Sequence, residues 1–337
     1  MFIIRYDLRV PPGAKITHAE QYSHAIEMAK WGDGRGVAMV ALSEHHDTDD
    51  GFMHSPLTLA AAILGATKNI ICNVSALLVP LHDPVRLAEE IATIDLIAPG
   101  RLAVVAGLGY RPSEFEMFGK DLRTRATDFE EAIEFMLAAW KGGEVTYRGR
   151  RVRVNPVPPT QPHPNLLIGG SVLAAARRAA RLRLPYCPAI YDQELIDIYL
   201  AEAAAIGFED PLPAVGQGPG LVLVTNDPDA VWAKIGDQLL YDAMVYASWQ
   251  GPEHKSSWRT SATTVDELRA SPNYAIVTPD QCVELVRKNG SAVLHPLVAG
   301  IDPAIGWETL ELVVNEVMPA LASTLSSTKE ITEIRNE

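Results

Sequence analysis

Cysteine is scarce in this chain of 337 residues: there are three, Cys72, Cys187 and Cys282, far apart and odd in number. They form neither a metal-ligand spacing nor a disulfide framework, and point to buried thiols in a reducing compartment. Long apolar runs are missing too. No stretch approaches the roughly 20 residues that a membrane span needs, and the opening "MFIIRYDLRV" is broken by Arg5, Asp7 and Arg9, unlike a secretory leader. Positive charge is in deficit, 29 Lys and Arg against 42 Asp and Glu, so the net charge of −13 repels nucleic acid and anionic membranes. Any phosphate must then be held locally, by backbone N–H groups, a helix N-terminus or a few arginines. The expectation is a cytoplasmic protein with neither nucleic-acid nor membrane partners.

What is present is the composition of a folded protein, 47% hydrophobic and 21% charged. Short β-rich runs alternate with helical patterns. "FIIRYDL" (2–8), "VAMVAL" (37–42), "IICNVSALLV" (70–79) and "RLAVVAGLG" (101–109) read as strands, the second apolar throughout as befits a strand buried on both faces. Between them, Tyr22, Ala25, Ile26 and Ala29 recur with helical period. Pro56 opens the helical 55–67, and Asp83 with Pro84 offers an N-cap and first-turn proline to a stripe of Leu87, Ile91, Ile94 and Ala98. "NLLIGG" (165–170), "GLVLVT" (220–225) and "SAVLHPLV" (291–298) are each followed by a helical pattern, and a weaker unit lies near 184–206. Seven to eight such units with short connections predict a parallel α/β protein, a closed (β/α)8 TIM barrel with insertions rather than an open sheet.

Two stretches break the rhythm. Residues 141–165 carry a glycine pair, a hairpin-like "EVTYRGRRVRV" and a proline-rich connector, an excursion between the fourth and fifth strands. Residues 241–276 lack a clear period and read as an insertion after the seventh strand, a candidate lid whose Trp249 and Trp258 would cover an apolar substrate or pack internally. No linker divides 1–337 into independent domains.

In a (β/α)8 barrel the active site is built from the C-terminal ends of the strands. That rule selects Asp7, the cluster Glu44-His45-His46, the region from Ser75 and Ala76 to Leu78, the run Gly107, Leu108, Gly109, Tyr110, Arg111, and Gly169-Gly170-Ser171. In the last, two glycines permit close backbone approach and Ser171 offers an N-cap to the following helix, whose N-terminus attracts phosphate without net positive charge. His82 reads as a surface residue beside an N-cap, and Arg177, Arg178, Arg181 and Arg183 as a solvated helix face or subunit contact.

The segments "VALSEHH", "ILGATKNIICNVSALLVPLHDPVRLAEEIATIDLIAPGRLAVVAGLGYRPSEFEMFG", "LLIGGS" and "HPLVAGIDPAIGWETLELVVNEVMPAL" resemble the bacterial luciferase-like family, over nearly the whole chain and in order. The resemblance implies a TIM barrel using reduced FMN or the deazaflavin coenzyme F420, with a flavin across the barrel mouth. By position it implies that His45 faces the reactive ring, with Glu44 or Asp7 to orient it. "NVSALLVP" corresponds to the segment under the isoalloxazine, where the family often has a non-proline cis peptide, here Ser75–Ala76. Some members place an arginine after the fourth strand against the phosphate; the matching position is Leu108, with Arg111 three residues on.

The leading expectation is a monooxygenase in which reduced FMN, supplied by a separate flavin reductase, and O2 oxygenate a small organic substrate. A variant uses F420 for hydride transfer. By resemblance the chain is expected to form a homodimer through helices near the second and third strands. A metal-dependent hydrolase on the same barrel, liganded by His45, His46 and nearby aspartates, is the contrary reading. Consecutive strand-end histidines diverge, however, and zinc needs three or four converging ligands, so no metal is expected. A non-catalytic flavin-binding protein is the third reading.

Overall fold

The computed structural model describes residues 1–216, 218–251, 256 and 260–323. In chain order the first elements are β1 (Phe2–Tyr6), α1 (His18–Gly32), β2 (Val37–Leu42), α2 (Pro56–Ala66), β3 (Ile71–Leu78), α3 (Pro84–Ile97) and β4 (Leu102–Gly107). There follow α4 (Pro112–Met117), α5 (Arg125–Ala139), β5 (Val145–Tyr147), β6 (Arg150–Val152), β7 (Asn165–Gly169), α6 (Leu173–Arg181), β8 (Tyr186–Cys187) and α7 (Gln193–Ala205). The last are β9 (Leu221–Val224), α8 (Pro228–Trp249), α9 (Val265–Arg269), β10 (Tyr274–Val277), α10 (Pro279–Asn289), β11 (Ala292–Leu294) and α11 (Pro303–Leu312).

The seven strands read from the sequence form, as β1, β2, β3, β4, β7, β9 and β11, and the weaker unit near 184–206 supplies the two-residue β8. β10 is an addition, four residues inside and just beyond the stretch 241–276, too short to show a period. The opening of that stretch is also ordinary helix: residues 241–249 are the last turns of α8. Trp258 lies outside the described residues.

The chain divides into two compact units. One holds Met1–Ala38 with most of the chain from 217 onward. Its strands run parallel in the order β10, β9, β11, β1, with Tyr274 paired to Leu221, Leu294 to Val222 and Phe2 to Ala292. Helix α1 starts with a reciprocal capping box between Thr17 and Glu20. Thr309 of α11 both donates to Val224 O and accepts its N–H, each at 3.0 Å, tying helix to strand.

The other unit comprises Met39–Gly216 and Trp249–Ser256. Its strands are parallel in the order β2, β3, β4, β7, β8, with Ala41 opposite Asn73, Ser75 opposite Val105 and Ala106 opposite Ile168. The period of two sorts the side chains. Val40, Leu42, Cys72 and Val74 are all fully buried, and the Cys72 thiol points at Ala60 O of α2, so this set faces the helices. Ala41, Ser43, Asn73, Ser75, Val105 and Gly107 therefore share the opposite, inner face. Asp83 caps α3 by accepting the N–H groups of Val85 and Arg86, with Pro84 in the first turn.

The excursion 141–165 is an antiparallel hairpin, β5 with β6, followed by the proline-rich connector. The connector is pinned where the buried Asp95 of α3 accepts the Thr160 N–H at 2.8 Å and its hydroxyl at 2.7 Å. On the basic face of α6, Arg177 and Arg181 are exposed, as expected of a solvated face, and Arg178 is buried. Arg178 is buried against Phe129 and pairs with Glu130 of α5, which also takes Arg181, while Arg177 reaches Glu202 of α7. Among the described residues no helix is long and apolar enough to cross a membrane.

Candidate functional site

Strand β2 delivers the chain into Ser43-Glu44-His45-His46, all buried. Asp47 follows at φ +51°, a left-handed turn that Asp tolerates better than most residues. The two imidazoles have separate partners. His45 Nδ1 lies 2.8 Å from Glu114 Oε1 in α4; His46 Nε2 lies 2.9 Å from Glu44 Oε1. The carboxylate that orients His45 is thus Glu114, whereas the sequence pointed to Glu44 or Asp7.

Glu114 is fully buried and its Oε1 collects three donors: the His45 ring, the His46 backbone N–H at 3.1 Å and Arg111 at 3.2 Å. A carboxyl oxygen beside one ring nitrogen sets the tautomer of an imidazole, so Glu114 places the Nδ1 proton of His45 toward itself. Nε2 is then the nitrogen able to exchange a proton with a bound reactant. Around the His45 ring stand Phe52 and Trp249, with centroids at 4.9 Å, and Tyr110 at 5.9 Å. Burial and the Glu114 charge push the Tyr110 hydroxyl up to about 12, so it is a neutral phenol at ordinary pH.

Arg111 is bonded within this cluster. It donates to His46 O and Asp47 O, pairs with Glu114, and its guanidinium carbon lies 4.3 Å from the centroid of the Trp249 ring. One arginine thereby ties the histidine turn, α4 and the Trp249 ring together.

Glu44 has a different task. Its Oε1 accepts from His46 and, at 2.8 Å, from His82 Nε2, and its Oε2 accepts the Leu78 N–H at 2.6 Å. Burial alone would raise its pKa; the donors from His46, His82 and Leu78 outweigh burial and hold it down to about 2. His46 also packs edge-on against Phe118, with centroids 4.7 Å apart.

The Ser75–Ala76 peptide is cis. Gly107 lies against it, and a Cβ there would come within 2.8 Å of the Ala76 Cβ, so this position tolerates no side chain. Gly109 has φ +72°, open to glycine at little cost, and Leu108 is half-buried beside it. Gly169 is similarly tight against Val105 and Ala106 of the neighbouring β4, and Gly170 sits at φ +128°. Ser171 does not cap α6. Val172 occupies the N-cap position without a side-chain hydrogen bond, while the Ser171 hydroxyl accepts the Ala189 N–H at 2.9 Å. The first N–H groups of α6 are therefore left uncapped by side chains, the arrangement that accepts an anion.

Asp7 lies in the other unit, in a buried cluster with Arg9, Asp242 and His295. Arg9 forms an ion pair with Asp242 and donates its backbone N–H to Asp7 Oδ1 at 3.2 Å. Burial, and next the Asp242 charge, raise Asp7 to about 7. Burial, together with Arg5 and Arg9, drives His295 well below the ordinary histidine value, so it is a neutral imidazole. Arg9, Asp242 and His295 carry no local signature in sequence. Glu114 has one weak signal, its i, i+3 spacing from Arg111, and is otherwise indistinguishable from Glu116. Among the described residues no three His, Cys, Asp or Glu side chains gather to hold a metal.

Three observations fit an aromatic cofactor with an anionic tail. Planar side chains surround the oriented imidazole; Ser43 Oγ, Asn73 Oδ1 and Glu114 Oε2 are buried without protein partners; and α6 offers an uncapped N-terminus. Solved structures share this fold. The monooxygenase RslO1 from Streptomyces bottropensis superposes with a TM-score of 0.75 at 21% identity, over 95% of this chain and 99% of its own. The oxygenating constituent of 3,6-diketocamphane monooxygenase from Pseudomonas putida, in complex with FMN, gives 0.67 at 18% identity, over 94% and 97%. An F420-dependent secondary alcohol dehydrogenase in complex with an F420-acetone adduct gives 0.67 at 16%, over 94% and 98%. By sequence, matches of 29–33% identity cover from 32% to 49% of the length of the curated relatives, so the chain spans at most about half of each. Residues 6–295 match the family described as luciferase-like monooxygenase, and the chain, an α/β protein of the (β/α)8 class, belongs to that family.

Proposed function

We propose that the protein is an oxidoreductase that binds reduced FMN and uses O2 to oxygenate a small organic substrate. The observation that carries this reading is the buried His45–Glu114 pair at 2.8 Å, walled by Phe52, Tyr110 and Trp249. When bound, the flavin supplies the redox chemistry, and the protein supplies position, exclusion of water and a proton. His45, with its Nδ1 proton held by Glu114, accepts or donates a proton at Nε2. Phe52, Tyr110 and Trp249 shield that nitrogen from bulk water. Ser43 and Asn73 on the inner face meet polar edges of the cofactor or substrate, and the N-terminus of α6, approached through Gly169 and Gly170, holds the phosphate. Ser75, Ala76, Gly107 and Gly109 shape the surface on which the ring lies, and Asp7 belongs to a separate buried cluster. A separate flavin reductase supplies the reduced cofactor.

The F420 reading keeps the same residues with a different step, hydride transfer without O2. It is favoured by the likeness to the F420-dependent dehydrogenase. Titration of the purified protein with oxidised FMN, reduced FMN and F420, with bound metal assayed alongside, separates the readings. The expected result is saturable binding of reduced FMN and consumption of O2. Preferential F420 binding with no O2 uptake selects the hydride reading. Tight zinc with no cofactor bound overturns both.

A further inference from the structure

Proton exchange at His45 leaves one neighbouring pair of histidines without a task. His82, on the connection between β3 and α3, shares a single carboxylate oxygen, Glu44 Oε1, with His46: the distances are 2.8 and 2.9 Å. His82 is the most exposed member of the row, its side chain 27% exposed, and Glu44 is fully buried behind it. The row continues through the backbone, because the His46 N–H bonds to the Glu114 oxygen that also takes His45 Nδ1. Two imidazole–carboxylate pairs thus share the residue His46, one through its ring and the other through its amide.

We propose that His82 is a positioning residue of the site: by holding Glu44 on His46 from the solvent side, it fixes the turn that aims His45, and it makes that aim sensitive to pH. The proposal rests on the reading of His45 as the working imidazole.

The chemistry of the surroundings supports this. With one ionised carboxylate oxygen serving two imidazoles, the arrangement is strongest when one ring is cationic, since Coulomb attraction is then added to a hydrogen bond that Glu44 accepts in either state. The charged groups near His82 are Glu44 at the end of β2, Glu90 on α3 and Lys120 between α4 and α5. Burial and Lys120 disfavour its cation, but the bond and charge of Glu44, helped by Glu90, outweigh them and raise the His82 pKa above the ordinary histidine value. Below that pKa the clamp is an ion pair; above it a neutral N–H donor remains and the grip weakens. The second oxygen of Glu44 holds the Leu78 N–H at the end of β3, so the same carboxylate registers the histidine turn against the next strand.

The test uses the full-length protein with ring-labelled histidine and three variants, Glu44→Gln, His82→Ala and His82→Gln. In the wild type, nitrogen shifts should show His82 titrating above the ordinary histidine value, and Glu44→Gln should return it toward that value. His82→Ala should displace the ring shifts of His46 and His45. It should also slow reoxidation of bound reduced FMN by O2 about tenfold, with FMN affinity within twofold of wild type. His82→Gln keeps an N–H donor for Glu44 and should recover most of the rate while abolishing the His82-dependent limb of its pH profile. If His82→Ala leaves the His45 and His46 shifts and the pH profile unchanged, or if Ala and Gln lose rate equally, the proposal fails. Should His82→Ala not fold, the Glu44→Gln titration and the His82→Gln pH profile decide the matter alone. His45→Ala distinguishes the two levels: an unchanged rate there removes the working-imidazole reading, while the nitrogen shifts still report whether His82 holds His46.

Discussion

Glu114 and His45 stand 69 positions apart in sequence and meet at 2.8 Å, carboxylate oxygen to ring nitrogen, in the buried heart of one unit. The contact makes a strand-end histidine into a group with a defined proton-bearing side. Replacing Glu114 with Gln keeps the size and an oxygen that Arg111, the His46 N–H and the His45 N–H can all reach, but removes the negative charge that strengthens those bonds. Turnover of reduced FMN with O2 should fall by roughly 10²-fold, the scale of a positioned proton-transfer group, while FMN affinity by titration stays within a few-fold.

Arg111 separates a phosphate contact from a scaffold role. Arg111→Lys loses the fork that spans His46 O, Asp47 O and Glu114, and weakens stacking on Trp249. The melting temperature and turnover should both drop. The ratio of FMN to riboflavin affinity should not move, because the phosphate is assigned to α6. A selective loss of FMN over riboflavin binding would return Arg111 to the phosphate.

Asp7 gives a stability signature with a definite sign. Its folded pKa, about 7, lies above the unfolded value near 3.8, so between those values the folded state holds a proton that the unfolded state has released. Stability is lost as pH rises across that window and is level above it, by a total on the order of 4 kcal/mol. Asp7→Asn removes the titration. Denaturant midpoints of the variant relative to wild type should therefore improve steadily from pH 4 to pH 7. A flat difference across that range would remove Asp7 as the titrating group.

Gly107→Ala places a methyl 2.8 Å from the Ala76 Cβ on the strand next door. Neighbouring backbone has to shift, which costs about 1–3 kcal/mol for overpacking. The expected result is a lowered melting temperature and weakened flavin binding together. Gly65 in α2 is the control position: a methyl added there meets no atom within 4 Å, so its alanine variant should leave flavin binding unchanged and raise the melting temperature slightly through helix propensity.

The division between what was legible in the chain and what was not follows the range of the forces. Alternation of apolar runs, N-caps such as Asp83 and the glycine turns are local, so seven strands and the strand-end placement of His45 can be read directly, whereas the two-residue β8 leaves only a weak trace. β10 escapes because four residues between turn signals carry too little period. Ser171 misleads because a cap is decided by where the chain turns, and it turns one residue later.

By itself, then, the sequence determined the parallel α/β order and put the histidine pair at the end of β2, since periodicity and turn chemistry act between near neighbours. Only the tertiary structure decided which carboxylate each histidine in "SEHH" receives. Glu114 arrives from α4 and His82 from the β3–α3 connection because parallel strands bring their C-terminal ends together. Buried charges must then find partners across that junction at whatever separation the chain happens to have.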